Sequence, residues 1–169
     1  MKVGGEAMNS LLQEAIHNLS INDVYLTHAQ SSVAADSPAK YENFDQFHTQ
    51  TRSALPAVSA IELQNGEHFV RVECGYGFRW VEEAEGQEPV QKACIEATFA
   101  AEYSMKKLIS NDAIAEFAKK NVHHHVWPFW REFLMSQTER MRLPRVTVHM
   151  CQFGFERLEI KAEPSLDQP

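Results

Sequence analysis

Two periodicities run along this chain, one of two residues through its middle and one of helical spacing near its end. From Glu67 to Val81, Val70, Val72, Cys74, Tyr76, Phe78 and Trp80 share one face, while Arg71, Glu73, Gly75, Gly77 and Arg79 share the other. That alternation predicts a strand buried on one side. Val90 to Met105 repeats it, with Ala93, Ile95, Ala97, Phe99, Ala101, Tyr103 and Met105 on the apolar face. Small and large residues alternate there, which leaves room for a helix to pack closely. Ala57–Leu63 predicts a further strand, joined to the next by a tight Asn65-Gly66 hairpin. Ile21–Gln30, rich in β-formers, predicts a first strand.

Helical spacing dominates later. Val126, Trp130, Phe133 and Leu134 fall on one face, with Met141 two turns on, and Arg131, Glu132, Thr138 and Glu139 off it. Pro128 is expected in the first turn, where its missing N–H costs nothing. Leu143-Pro144 stops the helix, because a residue before proline avoids the α region. A shorter helix, capped by Asn111, covers DAIAEFAKK and ends near Asn121. Asn9 or Ser10 caps another at the front, with Leu11, Leu12, Ala15, Ile16 and Leu19 as its stripe. Residues 1–7 and 162–169 are expected to be flexible. Phe153–Ile160 fits a strand or a helix. Ser31–Ala54 reads as irregular and holds Tyr41, Phe44 and Phe47; so long a connection points to function.

Strands first and helices later predict one α+β domain, residues 1–169 with a core of about 20–150: a four-stranded antiparallel sheet with long helices on one face. Its long apolar strands suit a sheet that continues across a subunit boundary. With 169 residues, 44% of them hydrophobic, the chain can bury such a core. A net charge of -7 disfavours nucleic acid and favours a basic partner. The three cysteines, Cys74, Cys94 and Cys151, are odd in number and widely spaced, which fits a reducing compartment. MKVGGEAMNS has no apolar core of a signal peptide, and no run reaches membrane-spanning length, so a cytoplasmic location is expected.

Candidate chemistry is sparse. His123-His124-His125 suggests a metal, but adjacent residues cannot all face one ion, and help from His149 or Cys151 would be needed. A small metal-dependent enzyme is the alternative this cluster keeps open; the plainer reading is polar residues opening a helix, with no metal and no cofactor. Gly75-Tyr76-Gly77 sits mid-strand and opens no helix, so it marks a bulge or a close approach rather than a dinucleotide site. GxxxxGK[ST], GxSxG and HExxH are all absent. Cys74 and Cys94 fall at strand positions that favour burial. Glu82, Glu83, Glu85 and Glu88 form an acidic turn, either solvated or a docking patch for a basic partner. Tyr41, Phe44, Phe47 and Trp130 belong to the core by default. Trp127 and Phe129 fall off the helix's main stripe and predict an exposed aromatic patch that binds something.

The order of hairpin-linked long strands, short helix and main helix, with Asn121, Pro128, Phe129, Arg131 and Glu132 in the pattern N-x-x-x-x-x-x-P-[FY]-x-R-E, resembles the SecB export-chaperone family. Leu143-Pro144 and, at the front, Asp23-Val24-Tyr25 fit as well, so the resemblance spans about Ser20 to Met150. It is closer to the divergent SecB-like branch, including members beside toxin–antitoxin pairs. The resemblance implies a non-enzymatic holdase that keeps unfolded or preprotein clients in hydrophobic grooves without ATP. It further implies a homotetramer built as a dimer of dimers, and delivery to a translocation motor or control of an antitoxin. On that reading Phe44, Phe47, Trp127 and Phe129 line the groove and Glu82, Glu83, Glu85 and Glu88 dock a partner. Two departures stand out: Thr27, His28 and Ala29 replace the acidic residues the family uses for motor docking, and CQFGFERLEIK does not match its closing helix.

Overall fold

The computed structural model describes the backbone of residues 3–34, 44–148 and 160–162, and the side chains of 10–34, 44 and 46–148. Helix α1 (Val3–Asn18) leads directly into β1 (Leu19–Val33); a single 3-10 turn, Phe44–Gln46, then precedes β2 (His48–Ser53). Strands β3 (Ala57–Glu62), β4 (His68–Glu82) and β5 (Val90–Met105) follow, then α2 (Asn111–Phe117), α3 (His123–Arg140) and the short β6 (Ile160–Ala162).

The sheet runs β1-β5-β4 and ends in a row split between β2 and β3, which pair end to end along the same edge of β4. All of these pairs are antiparallel; β6 adds a short parallel strand outside β3. This is the α+β sheet-and-helix arrangement the alternation predicts, with the fourth row broken in two. The break lies at Ala54, whose N–H bonds the Gly75 carbonyl at 2.9 Å, so a single kinked run of chain spans the whole edge. Gly66, at φ +81, closes the β3–β4 hairpin expected at Asn65-Gly66.

Helices cover one face. α3 packs on β1, β4 and β5, while α1 packs against α2. Val70, Val72, Cys74, Tyr76, Phe78 and Trp80 are buried beneath them, as are Ala93, Ile95, Ala97, Phe99, Ala101 and Tyr103. From the helices, Ile114, Phe117, Val122, Val126, Trp130 and Leu134 close the core. Each large side chain so buried contributes about 1.5–3 kcal/mol.

Several local expectations are corrected. α1 starts at Val3, so Asn9 and Ser10 lie inside it; the low helix propensity of Gly4 and Gly5 hides its first turn from the sequence pattern. Ser31–Ala54 is not without structure, since β1 runs to Val33 and β2 forms at its end. Ser110, not Asn111, caps α2, its hydroxyl accepting from the Ala113 N–H at 3.2 Å. A wide π turn, Ala118–Val122, carries α2 into α3, so Pro128 lies well inside helix rather than in its first turn. Pro128 and His124 are both exposed, which leaves the His124 carbonyl that Pro128 cannot satisfy facing water. Thr138, expected off the apolar face, is buried, because its hydroxyl donates to the Met135 carbonyl at 2.8 Å. Tyr41, His149, Cys151, residues 153–159 and the tail beyond 162 lie outside the described residues.

α3 ends with Arg142 at φ 55, and the Leu143 N–H reaches back to the Thr138 carbonyl at 2.9 Å. This is a left-handed cap that glycine fills without strain. Arg142→Gly is therefore expected to raise stability by about 0.5–1 kcal/mol, read as a shift of the urea midpoint at unchanged slope.

Candidate functional site

The helices do not cover the sheet completely. Beside β2 the packing over the inner face of β4 is incomplete: Tyr76, Phe78 and Trp80 are themselves buried, yet two contiguous cavities lie along them. One, of about 240 Å³, is walled by Tyr76, Phe78, Trp127 and Trp130 with Thr51 and Ser53 from β2 and Val148 beyond α3. The other, of about 400 Å³, is walled by Phe44, Phe47, Phe78, Trp80, Thr49 and Thr51 with Pro144–Thr147 opposite. Thr51, Phe78 and Thr147 belong to both, which makes one groove running parallel to β2.

Interlocked rings build its floor. Trp130 stacks on Tyr76 at 5.5 Å and 19°, and Trp127 meets the same tyrosine edge-on at 5.5 Å. At the other end Phe78 meets Trp80 at 4.8 Å, Phe44 meets Trp80 at 6.0 Å, and Phe47 meets Phe44 at 4.9 Å. Such edge-on and offset pairs hold the rings in place without filling the space above them. The β2 wall is hydroxyl-bearing: Thr49, Thr51 and Ser53 pair in register with Trp80, Phe78 and Tyr76.

Of the aromatic residues singled out in the sequence, Phe44, Phe47 and Trp127 come together here. Phe44 is also core, being 6% exposed. Phe129 is elsewhere, on the solvent side of α3 at 45% exposure, and lines neither cavity. Tyr76, Phe78, Trp80 and Trp130 were legible only as core. Nothing in the periodicity says that cavities remain beside these buried rings.

The three histidines are divided among different surroundings. His123 is buried and shares a 2.7 Å hydrogen bond between its Nδ1 and the Tyr76 hydroxyl. His125 does the same with Tyr103 at 2.8 Å, and His124 faces solvent. The two bonds tie the start of α3 to neighbouring strands, one of them directly under the groove. Burial, with a smaller contribution from His124, pushes the His123 pKa down to about 4 and lowers that of His125. Among the described residues no cluster of His, Cys, Asp or Glu gathers around a point where a metal could sit. Cys74 and Cys94 are buried, and desolvation pushes the Cys74 thiol up to about 12, so it is a poor nucleophile.

The acidic turn joins β4 to β5. Glu82 pairs with Lys92 at 2.7 Å and Glu83 approaches His48 at 3.9 Å, while Glu85 and Glu88 are exposed. Gly75 and Gly77 point away from the helices. A Cβ at Gly77 would lie 3.3 Å from the Glu96 carboxylate and 3.6 Å from Arg52, and one at Gly75 would lie 3.3 Å from Ala54. The nearest atoms are side-chain atoms and no register shift falls at these two positions, so the glycines mark neither the bulge nor the close approach of another backbone expected at that motif.

No family model matches the chain and no curated protein matches it in sequence. Solved structures do. The SecB-like chaperone of Mycobacterium tuberculosis, solved in complex with a peptide from an antitoxin, is 17% identical and superposes with a TM-score of 0.66, covering 86% of this chain and 99% of that one. A protein of unknown function from Streptococcus agalactiae is 10% identical, with a TM-score of 0.39 over 78% of this chain and 97% of its own. The first likeness assigns the fold, which is SecB-like. No helix among the described residues is long and apolar enough to cross a membrane.

Proposed function

We propose that this protein is an ATP-independent chaperone that holds extended, apolar segments of unfolded polypeptides in the groove beside β2. The observation that carries this reading is the groove itself, two cavities lined by aromatic rings along a strand edge, where the partly buried Phe47 and Trp127 border rings of the core. The outer edge of β2 has no strand partner among the described residues. β2 contains no proline, lysine or register shift, whereas the opposite edge strand, β1, is interrupted by two register shifts. Proline and register shifts discourage edge pairing, and β2 has neither, though it is short and carries Arg52. A client added alongside β2 gains main-chain hydrogen bonds and drops alternate side chains onto the rings. Tyr76 and Trp80 are four residues apart on β4, so the groove takes bulky side chains spaced by about 13 Å, four residues of an extended client.

The mycobacterial structure of the same fold binds an antitoxin peptide. By analogy an antitoxin-like segment is the specific client here, with preproteins as the broader class. A homotetramer in the cytoplasm is the working assembly: Ile21 and Leu26 on β1 and Phe129 and Met135 on α3 are exposed apolar residues suited to cover by other copies. The acidic turn is assigned to a basic partner such as a translocation motor through Glu85 and Glu88, since Glu82 and Glu83 already have neighbours.

Light scattering tests the reading. Chelator-treated protein without nucleotide is expected to suppress aggregation of a chemically unfolded client at near-stoichiometric ratio. Suppression that requires added zinc or nickel would transfer the argument to the histidines. No suppression across several clients would reject the chaperone.

A further inference from the structure

The outer face of the same sheet carries a second, polar hollow. Its floor exists because β4 places Gly77 on that side, so the row across the sheet there lacks a central side chain. In register, Gln50, Arg79 and Cys94 form one row, and Arg52, Gly77 and Glu96 form the next. The space between them is about 370 Å³. Arg79 uses its Nε on the Gln50 side-chain oxygen at 2.8 Å, which leaves the two η nitrogens of its planar fork without a partner among the described residues. Arg52, its side chain 71% exposed, reaches across Gly77 to Glu96 at a loose 3.5 Å. Two guanidinium groups thus face one hollow containing a single carboxylate, on a chain whose net charge is -7.

β2 is the common rim of this hollow and the aromatic groove: Thr49, Thr51 and Ser53 point to the groove, and Gln50 and Arg52 point to the hollow. The geometry points to a carboxylate site that reads the acidic side chains of the same extended client. This inference rests on the groove reading. An added strand alternates its side chains between the two faces of the sheet. Residues that fill the groove are therefore apolar, and those between them fall beside Arg52 and within reach of the Arg79 fork, which matches a carboxylate bidentately. The preferred client is an apolar–acidic alternating segment, although the overall charge of the chain favours a basic one at long range.

The test uses fluorescent peptides with phenylalanine at every second position and Glu, Gln or Lys between, measured by anisotropy against the intact protein and an Arg52→Gln/Arg79→Gln variant. Both arginines are exposed, so the variant is expected to melt with the wild type. The Glu peptide should weaken about three- to tenfold in the variant at low ionic strength, and the loss should shrink in high salt. The Gln peptide should bind both proteins alike. If the Glu peptide binds variant and wild type equally, the carboxylate site is wrong while the groove stands. If no peptide binds wild type, the groove reading fails and takes this inference with it.

Discussion

Thr51→Lys is expected to weaken client holding about ten- to a hundredfold while the protein stays folded. Thr51 sits at the middle of the β2 wall, exposed and shared by both aromatic cavities. A lysine there extends an ammonium over Phe78 into the space a client side chain must enter, and that charge loses its water when the client arrives. Displacing one bulky apolar side chain forfeits about 1.5–3 kcal/mol, roughly ten- to a hundredfold in affinity. The folded state loses little, since an exposed substitution at an edge strand costs under about 1 kcal/mol, a shift of roughly 2–4 °C in Tm. Peptide affinity and thermal melting on one preparation check both halves. Alanine at Phe44 is a poorer probe, because that ring is core as well as groove and its loss lowers stability at the same time.

The second large effect is acid lability centred on His123. Its ring is buried against Tyr76, and the folded protein holds its pKa at about 4, against about 6.5 in an unfolded chain. Above pH 6.5 the ring is neutral in both states and stability does not depend on it. As pH falls below that, the unfolded chain takes up a proton the folded one refuses, and the contribution is lost progressively down to about pH 4. The full loss is about 3 kcal/mol. His125, shifted in the same direction by its burial, adds to it. The difference in unfolding free energy between wild type and His123→Gln, followed by urea titration from pH 7 to 4, isolates this contribution from the carboxylates that titrate in the same range. The variant's curve should be flatter by most of that amount, and parallel curves would remove His123 from the account.

The sheet's long central strands were legible because one face of each is buried and the other is not; Val70 to Trp80 and Ala93 to Tyr103 show it residue by residue. β2 was not legible for the complementary reason. His48–Ser53 has an open groove on one side and the polar outer face on the other, so neither side demands apolar residues. The π turn left no mark because it only widens one turn of an otherwise helical backbone and needs no special residue. His123 and Thr138 occupy buried helix positions that a polar side chain usually avoids, and each does so by way of a hydrogen bond made inside the fold. The aromatic patch divided for a geometric reason: Trp127 and Phe129 are two residues apart, about 200° around a helix, so only one of them can face the groove. The sequence singled out aromatic residues and could not say which of them the fold would bring together.

The central claim is that unfolded polypeptide lies in the groove beside β2. Photo-crosslinking tests it most directly, with one probe at Thr51 in the groove and another at Glu132 on the exposed side of α3, each incubated with the same client in its unfolded and native forms. Adducts are expected from Thr51 with unfolded client only, and none from Glu132. Adducts from Glu132 alone, or from Thr51 equally with native client, would contradict the claim.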